Sequence, residues 1–138
     1  MKKIYLGESP PSNGRFFYDK DSECKPGVWS HRLFEKEGHD LPESRALTAE
    51  QKERHLRRLS DTGVILVDAC MCAVNHMEKD VNRDTFVFDC FHRYSSDLLR
   101  TLMKGRNVEI PIRFAFPVEC GNELLEKLKG QYPDVRRW

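Results

Sequence analysis

The chain has 138 residues, of which 39% are hydrophobic and 33% are charged, and its formal net charge is +1. These values exclude a fold that needs metal or disulfides merely to form, and they favour one globular domain spanning residues 1–138. Five cysteines without an export signal favour free thiols, and no apolar run approaches the roughly 20 residues of a membrane span. We therefore expect a cytoplasmic protein without a membrane partner.

The first half of the chain predicts one strand, a long loop and two helices. Residues 3–6 form the strand, and the density of proline and glycine in residues 8–27 predicts an ordered loop. Residues 28–37 have apolar side chains at helical spacing. A capping box that begins at Thr48 predicts a second helix running to about Asp61, because its side chains bind backbone amides that a helix start leaves unpaired.

The second half predicts two further strands and two helices. Residues 64–69 are a continuous apolar run, which is typical of a strand buried on both faces of a parallel sheet. The longest helix is predicted over 82–104, followed by a strand over 108–116, where Pro111 indicates an edge or a bulge. The last helix is predicted over 122–129, and the final eight residues leave room for a short fourth strand or a tail.

The order of these elements predicts an α/β fold. We expect a three-layer α/β/α arrangement with a short, mainly parallel sheet of three to four strands. In such a sheet the ligand sites lie at the carboxyl ends of the strands. The residues that follow the first and second predicted strands are therefore the first candidates for a functional site.

An acidic residue follows the first strand in the sequence Gly7-Glu8-Ser9-Pro10-Pro11. The two prolines restrict the backbone beyond Glu8, and a residue that positions a hydrolytic water must be held rigidly. Glu8 is thus a candidate general base. The alternative is a structural role, in which Glu8 caps a turn or pairs with Arg15.

Three short motifs resemble those of the uracil-DNA glycosylase superfamily. The sequence Gly7-Glu8-Ser9-Pro10-Pro11 is similar to its first signature, closest to the Gly-Glu-Ala-Pro-Gly form of the iron–sulfur branch. Gly14-Arg15-Phe16-Phe17 resembles the Gly-Arg-Pro-Phe of that branch, which supplies an aromatic that stacks on a flipped base. The stretch from Val64 to Cys72 is similar to a strand that ends in a base-reading Asn, with a Cys four residues later.

The resemblance implies a DNA glycosylase-like domain for DNA repair, a hydrolase that binds a flipped uracil or cytosine-type base and cleaves its N-glycosidic bond. It implies that Glu8 is the catalytic residue and that Phe17 stacks on the base, with Phe16 as the substitute. Its partner would be DNA, a nucleobase or a nucleotide. The substrate-binding residues are expected to be Gly7, Ser9, Pro10, Phe16, Phe17, Asp68, Asn75 and His76.

Asp68 stands where most uracil-excising relatives carry Asn. An ionised Asp cannot donate to O4 of uracil, whereas it can accept from the exocyclic amine of cytosine and, when protonated, donate to cytosine N3. We therefore expect a base site with Asp68 to prefer cytosine or a cytosine derivative. The alternative is an Asp that caps the following loop or pairs with an Arg.

No cofactor and no metal site are predicted. Cys72 and Cys90 resemble two cluster ligands of the iron–sulfur glycosylases, but the stretch before the first strand, which holds the other two ligands in that family, has no cysteine here. Cys90 and His92 would project about 200° apart on a helix, so they cannot face one ion. Buried structural thiols are the favoured interpretation.

One family signature is missing, because the chain has no histidine after His92 and so lacks the His-Pro-Ser-like loop. Three alternatives follow. The chain is a short glycosylase-like hydrolase, a non-catalytic nucleotide- or DNA-binding relative, or a truncated subunit that needs a partner. An exposed third strand would favour a homo-oligomer, because an unpaired edge is a template for pairing.

Overall fold

The computed structural model describes residues 2–11, 16–104 and 110–138. The chain forms two compact units, Arg15–Gly63, here called the helical unit, and Met1–Gly14 with Val64–Trp138, here called the sheet unit. The single domain expected over residues 1–138 stays a prediction. The elements in chain order are β1 (Lys3–Gly7), α1 (Trp29–Lys36), α2 (Ala49–Asp61), β2 (Val64–Asp68), α3 (Val81–Cys90), a π-helical turn (Phe91–Ser95), α4 (Ser96–Met103), β3 (Ile112–Ala115), α5 (Asn122–Gln131) and β4 (Val135–Arg137).

The sheet unit contains a four-stranded, all-parallel sheet with the order β2-β1-β3-β4. Its register pairs Gly7 at the end of β1 with Asp68 of β2 on one side and with Ala115 of β3 on the other. The α/β class and the parallel sheet predicted from the sequence are thereby confirmed. The three-layer arrangement stays a prediction.

The expectation that the third strand forms an exposed edge is wrong. β3 lies between β1 and β4, so both of its sides are paired. Pro111, which suggested an edge, precedes the strand, and its carbonyl accepts a hydrogen bond from Ile4 N at 3.0 Å. A proline at that position costs the ladder no donor, because its missing N–H lies outside the paired residues.

The core of the sheet unit is built on its two central strands. Ile4, Leu6, Ile112 and Phe114 are fully buried, as expected for strands that are paired on both sides. Side chains from all three helices of the unit join the same cluster, including Val87 from α3, Leu99 from α4, and Leu124 and Leu128 from α5.

The long helix predicted over 82–104 is interrupted by the π-helical turn. Helical spacing from Val87 and Phe91 predicts that Tyr94 and Leu98 lie on the inward face. These two side chains are instead 62% and 47% exposed, while Ser95 and Leu99 are buried. A π turn accommodates one extra residue, so every position after it moves by one relative to an α-helical pattern. This shift explains why the buried face is displaced by one residue.

The helical unit begins its second helix with the predicted capping box. Gln51 N donates to Thr48 Oγ1 at 3.1 Å, and Thr48 N donates to Gln51 Oε1 at 3.0 Å. Lys52, on the same helix, is only 1% exposed, and its ammonium donates to oxygens of the preceding loop at Asp19 and Ser22. No helix within the described residues is long and apolar enough to cross a membrane.

Candidate functional site

The candidate site lies where β1 and β2 end. β1 is a central strand; the chain leaves it to form β2 on one side, whereas β3 leads to β4 on the other side. In an open α/β sheet of this order the crevice lies between the carboxyl ends of β1 and β3. Gly7 and Glu8, at the end of β1, border that position, whereas Asp68 lies on the other side of β1, at the end of β2. All three residues were predicted from the sequence, and all three lie at the carboxyl ends of the strands.

Glu8 is held at this edge by a buried arginine. Arg83 Nε donates to Glu8 Oε2 at 3.0 Å, and Arg83 Nη2 donates to Glu8 Oε1. Both side chains are buried, and the hydrogen bonds to Glu8 raise the pKa of the Arg83 guanidinium. Both carboxylate oxygens of Glu8 thus accept hydrogen bonds from Arg83, a charge partner that the sequence did not indicate. Arg15, the partner expected in the alternative interpretation, lies outside the described residues.

Arg83 reaches Glu8 because it lies in the first turn of α3. The N-cap residue Asp80 accepts from the backbone N–H groups of Asn82 and Arg83 at 3.0 and 3.1 Å, which fixes the start of the helix. Arg83 Nη1 also donates to the Met77 carbonyl at 2.9 Å. Asp80 is the sequence signal for this placement. It indicates where the helix starts, but it does not indicate which carboxylate Arg83 binds.

One group of side chains near Glu8 has the composition of a metal site. Ligand atoms of Glu8, Asp84 and Cys120 lie within 4.8 Å of one another. However, Arg83 already neutralises Glu8, and Asp84 Oδ1 accepts from Gly121 N at 2.9 Å. Burial, followed by the two carboxylates, raises the pKa of the Cys120 thiol, which disfavours the thiolate that metals require. The group is therefore an ion-pair cluster and not a preformed metal site.

Asp68 differs from Glu8 in its surroundings. Its carboxyl group is partly exposed and has no hydrogen-bond partner among the residues that the structure describes, while its backbone carbonyl accepts from Ser95 Oγ at 2.9 Å. Burial raises the pKa of this carboxyl to about 6. Asp68 can thus gain or lose a proton near neutral pH, as a group that handles protons or reads a base must.

Gly7 lies directly beside this carboxyl group. A Cβ atom placed on Gly7 would lie 2.7 Å from Asp68 Oδ1, well inside van der Waals contact. The glycine therefore leaves room for the Asp68 side chain beside the end of β1.

The loops that follow β1 and β2 are joined through Ser9. Ser9 Oγ accepts from Val74 N at 3.3 Å and lies 3.4 Å from Asn75 Oδ1, to which it donates. Pro10 is half-buried, whereas His76, which follows Asn75 in the chain, is exposed. Three predicted substrate-binding residues, Ser9, Pro10 and Asn75, thus support the loops, and His76 offers its ring to solvent.

The two aromatic candidates belong to the helical unit. The Phe17 ring packs against Trp29 and Phe34, with centroids 5.5 and 5.7 Å apart. Phe16 is 51% exposed. Phe17 is therefore an anchor of the aromatic cluster in the helical unit, and its predicted role in stacking on a base stays a prediction.

The cysteines behave as isolated thiols. All five are free and four are buried, Cys72 being exposed. Met71 N donates to Cys90 Sγ at 3.3 Å, and burial, with a hydrogen bond to Cys90, raises the pKa of Cys70 to about 12. The Cys70 thiol is therefore protonated at neutral pH.

No protein-family model, curated protein or solved structure matches this chain. The resemblance to uracil-DNA glycosylases therefore continues to depend on the three motifs.

Proposed function

We propose that this protein binds a pyrimidine base at the carboxyl edge of its parallel sheet, as a glycosylase-like domain in which Asp68 reads the base. The observation that carries this proposal is the partly exposed Asp68 carboxyl, held beside Gly7 and without a hydrogen-bond partner among the described residues. A protonated carboxyl has one donor and one acceptor side by side. That pair complements the adjacent acceptor and donor on the pairing edge of a pyrimidine.

The hydrogen-bonding pattern of a carboxyl group favours cytosine over uracil, because a carboxyl oxygen accepts from the cytosine amine in either protonation state. Cytosine N3 is a basic nitrogen, so it can share a proton with the carboxyl while the exocyclic amine donates to the second oxygen. Uracil carries a hydrogen at N3 and no amine, so only a protonated carboxyl can complement it. Because burial raises the pKa of Asp68 to about 6, the shared proton is available close to neutral pH.

The state of Glu8 favours binding over hydrolysis. Both of its oxygens accept hydrogen bonds from Arg83 and its side chain is buried, which leaves little access for a water that Glu8 would have to position. Hydrolysis of the N-glycosidic bond is the second candidate function. It is favoured by Asp68 itself, because a carboxyl with a pKa of about 6 can serve as a general acid or base.

Binding is tested with short single-stranded oligonucleotides that carry one cytosine, one uracil or one abasic site in an otherwise constant sequence. We expect the cytosine oligonucleotide to bind more tightly than the abasic one by fluorescence anisotropy. Asp68→Ala should abolish that difference, while Glu43→Gln, which removes an exposed acid, should preserve it. Equal affinity of the unmodified protein for the cytosine and abasic oligonucleotides would refute the proposal.

Catalysis is tested on the same oligonucleotides by measuring the release of free base. Asp68→Asn is the informative variant, because Glu8→Gln would also disrupt a buried ion pair. Base release that is lost in Asp68→Asn supports hydrolysis, whereas binding without release supports a non-catalytic base-binding protein. Uracil release that is unaffected by Asp68→Asn would contradict the role given to Asp68.

A further inference from the structure

A polar cavity lies in the sheet unit, and none of the residues of the Asp68 site lines it. It has a volume of about 390 Å³, within the range of small-molecule sites. The π-helical turn and α4 form one wall, and the end of α5 forms the other. The residues that line it are Phe91, His92, Ser96, Arg100, Lys127, Gln131 and Tyr132.

The wall of this cavity is shaped by the π-helical turn. Ser96 N donates to the carbonyl of Phe91, five positions earlier, and Ser96 Oγ donates to the carbonyl of His92 at 3.0 Å. The hydroxyl thus takes the place of the backbone donor that an α-helix would give to His92. Short π-helical segments occur frequently at functional sites, and here Phe91 and His92 of the segment line the cavity together with Ser96, which follows it.

The charge of the cavity is positive. Its lining includes Arg100 and Lys127 and contains no carboxylate. Arg100 pairs with Asp97 on its own helix at 2.8 Å, whereas Lys127 forms no ion pair among the described residues. A positive cavity with an uncompensated ammonium is suited to an anion.

Lys127 also sets the state of the neighbouring histidine. Lys127 Nζ lies 2.9 Å from His92 Nε2, and an ammonium can only donate, so the imidazole accepts with a lone pair and is neutral. Burial, followed by Lys127, lowers the pKa of His92. Two donors of the ammonium remain for a ligand, together with the Gln131 amide and the Arg100 guanidinium.

We propose that this cavity binds a phosphate monoester, with Lys127 and Arg100 holding the phosphate dianion. The cavity is larger than a phosphate ion, so it also has room for the organic part of a small phosphorylated metabolite. Lysine and arginine donate charge-assisted hydrogen bonds to phosphate oxygens, and the polar side chains complete the set of donors. The inference does not depend on the base site at Asp68.

The proposal is tested with ribose 5-phosphate, ribose and inorganic phosphate, titrated into ¹⁵N-labelled protein at constant ionic strength. Ribose 5-phosphate lacks a nucleobase, so its binding is independent of the base site. We expect it to bind and to shift the amide resonances of His92, Ser96 and Lys127, whereas ribose should not bind. Failure of ribose 5-phosphate to bind, or equal binding of ribose, would overturn the proposal.

A matched pair of variants on α5 distinguishes binding in this cavity from a general effect of positive charge on the surface. Lys127→Gln should weaken ribose 5-phosphate binding about tenfold or more, because a hydrogen bond to a charged group is lost. Lys129→Gln removes the same charge from an exposed residue that pairs with Glu126 outside the cavity, and it should change the affinity less than twofold. Equal effects of the two variants would overturn the proposal. An oligonucleotide without a terminal phosphate monoester that competes as strongly as ribose 5-phosphate would also overturn it.

Discussion

At the scale of single residues, the carboxyl groups that follow β1 and end β2 differ in their burial and in their charge partners. Glu8 is buried and neutralised by Arg83, whereas Asp68 is partly exposed and its pKa is raised to about 6 by burial. The sequence identifies both positions as strand ends. It cannot predict their surroundings, because Glu8 pairs with an arginine 75 positions away and the pKa of Asp68 depends on burial in the folded chain.

The ion pair makes Glu8 a residue that stabilises the fold. We expect Glu8→Gln to lower the free energy of unfolding by about 3 kcal/mol, because it leaves the buried Arg83 guanidinium without a counter-charge. The double variant Glu8→Leu/Arg83→Met should recover part of this loss, because no buried charge remains. Urea unfolding measures both.

The control for that measurement is Glu53→Gln, which breaks the exposed Glu53–Arg57 pair on α2. Exposed pairs of this kind contribute little, so its unfolding curve should match that of the unmodified protein. If Glu8→Gln is equally silent, the buried pair does not stabilise the fold.

Asp68 should make stability depend on pH. Its pKa is about 6 in the folded protein against an ordinary value of 3.8, so the folded state binds the proton more tightly than the unfolded state does. Stability should therefore fall as pH rises from about 4 to about 6 and should not recover above that range. Asp68→Asn should remove this dependence and be more stable at pH 7 by about 1–2 kcal/mol, allowing for partial exposure.

Thermal unfolding between pH 4 and pH 8 measures this effect, and carboxyl NMR titration gives the pKa of Asp68 directly. Glu43→Gln serves as the control, since its carboxylate is exposed. A pH profile that is the same for Asp68→Asn and the unmodified protein would contradict the assignment.

At the scale of elements, the capping box of α2 and the apolar run of β2 were predictable because both depend on neighbouring residues. The π-helical turn was not, since residues 82–104 contain no proline or glycine that would indicate a break in the helix. Val87 and Phe91 follow an α-helical pattern, and Leu99 continues it only after the extra residue is accommodated. Local spacing therefore predicts the helix correctly, but it predicts the wrong buried residues after the π-helical turn begins.

The extra residue makes a deletion informative. Removing Arg93, which is exposed, should restore a continuous α-helix while Ser95 and Leu99 keep their buried positions. We expect the thermal unfolding midpoint to stay within a few degrees of the original, because the core is unchanged. Binding of ribose 5-phosphate should weaken, since the deletion remodels the π-helical wall of the cavity on which Phe91 and His92 lie.

The control is a deletion of Lys104, an exposed residue just after α4 and outside the cavity. If ribose 5-phosphate binds the Arg93 deletion and the Lys104 deletion alike, the π-helical turn does not shape the site.

At the scale of the whole molecule, the two units have different internal supports. The sheet unit depends on an apolar core, whereas the helical unit contains a buried lysine whose ammonium binds loop oxygens at Asp19 and Ser22. Burial lowers the pKa of Lys52. No pattern in the sequence distinguishes Lys52 from the exposed lysines around it, because its partners are backbone carbonyls about 30 positions earlier.

Lys52→Met should leave these oxygens without a donor and loosen the helical unit. Hydrogen exchange measured by mass spectrometry should show faster exchange in peptides from residues 16–63 and little change in β1 and β3. Lys36→Met, at an exposed position of α1, should alter neither unit. Uniform acceleration across the chain in Lys52→Met would contradict a local role.

The central position of β1 also determines the order in which the chain can fold. β1 is synthesised before both of its neighbours, and Ile4 pairs with Ile65 on one side and with Ile112 on the other. Its hydrogen bonds therefore wait until most of the chain has been made, and closing such long loops is slow. During that interval an apolar strand is without partners, so refolding yield should fall as protein concentration rises.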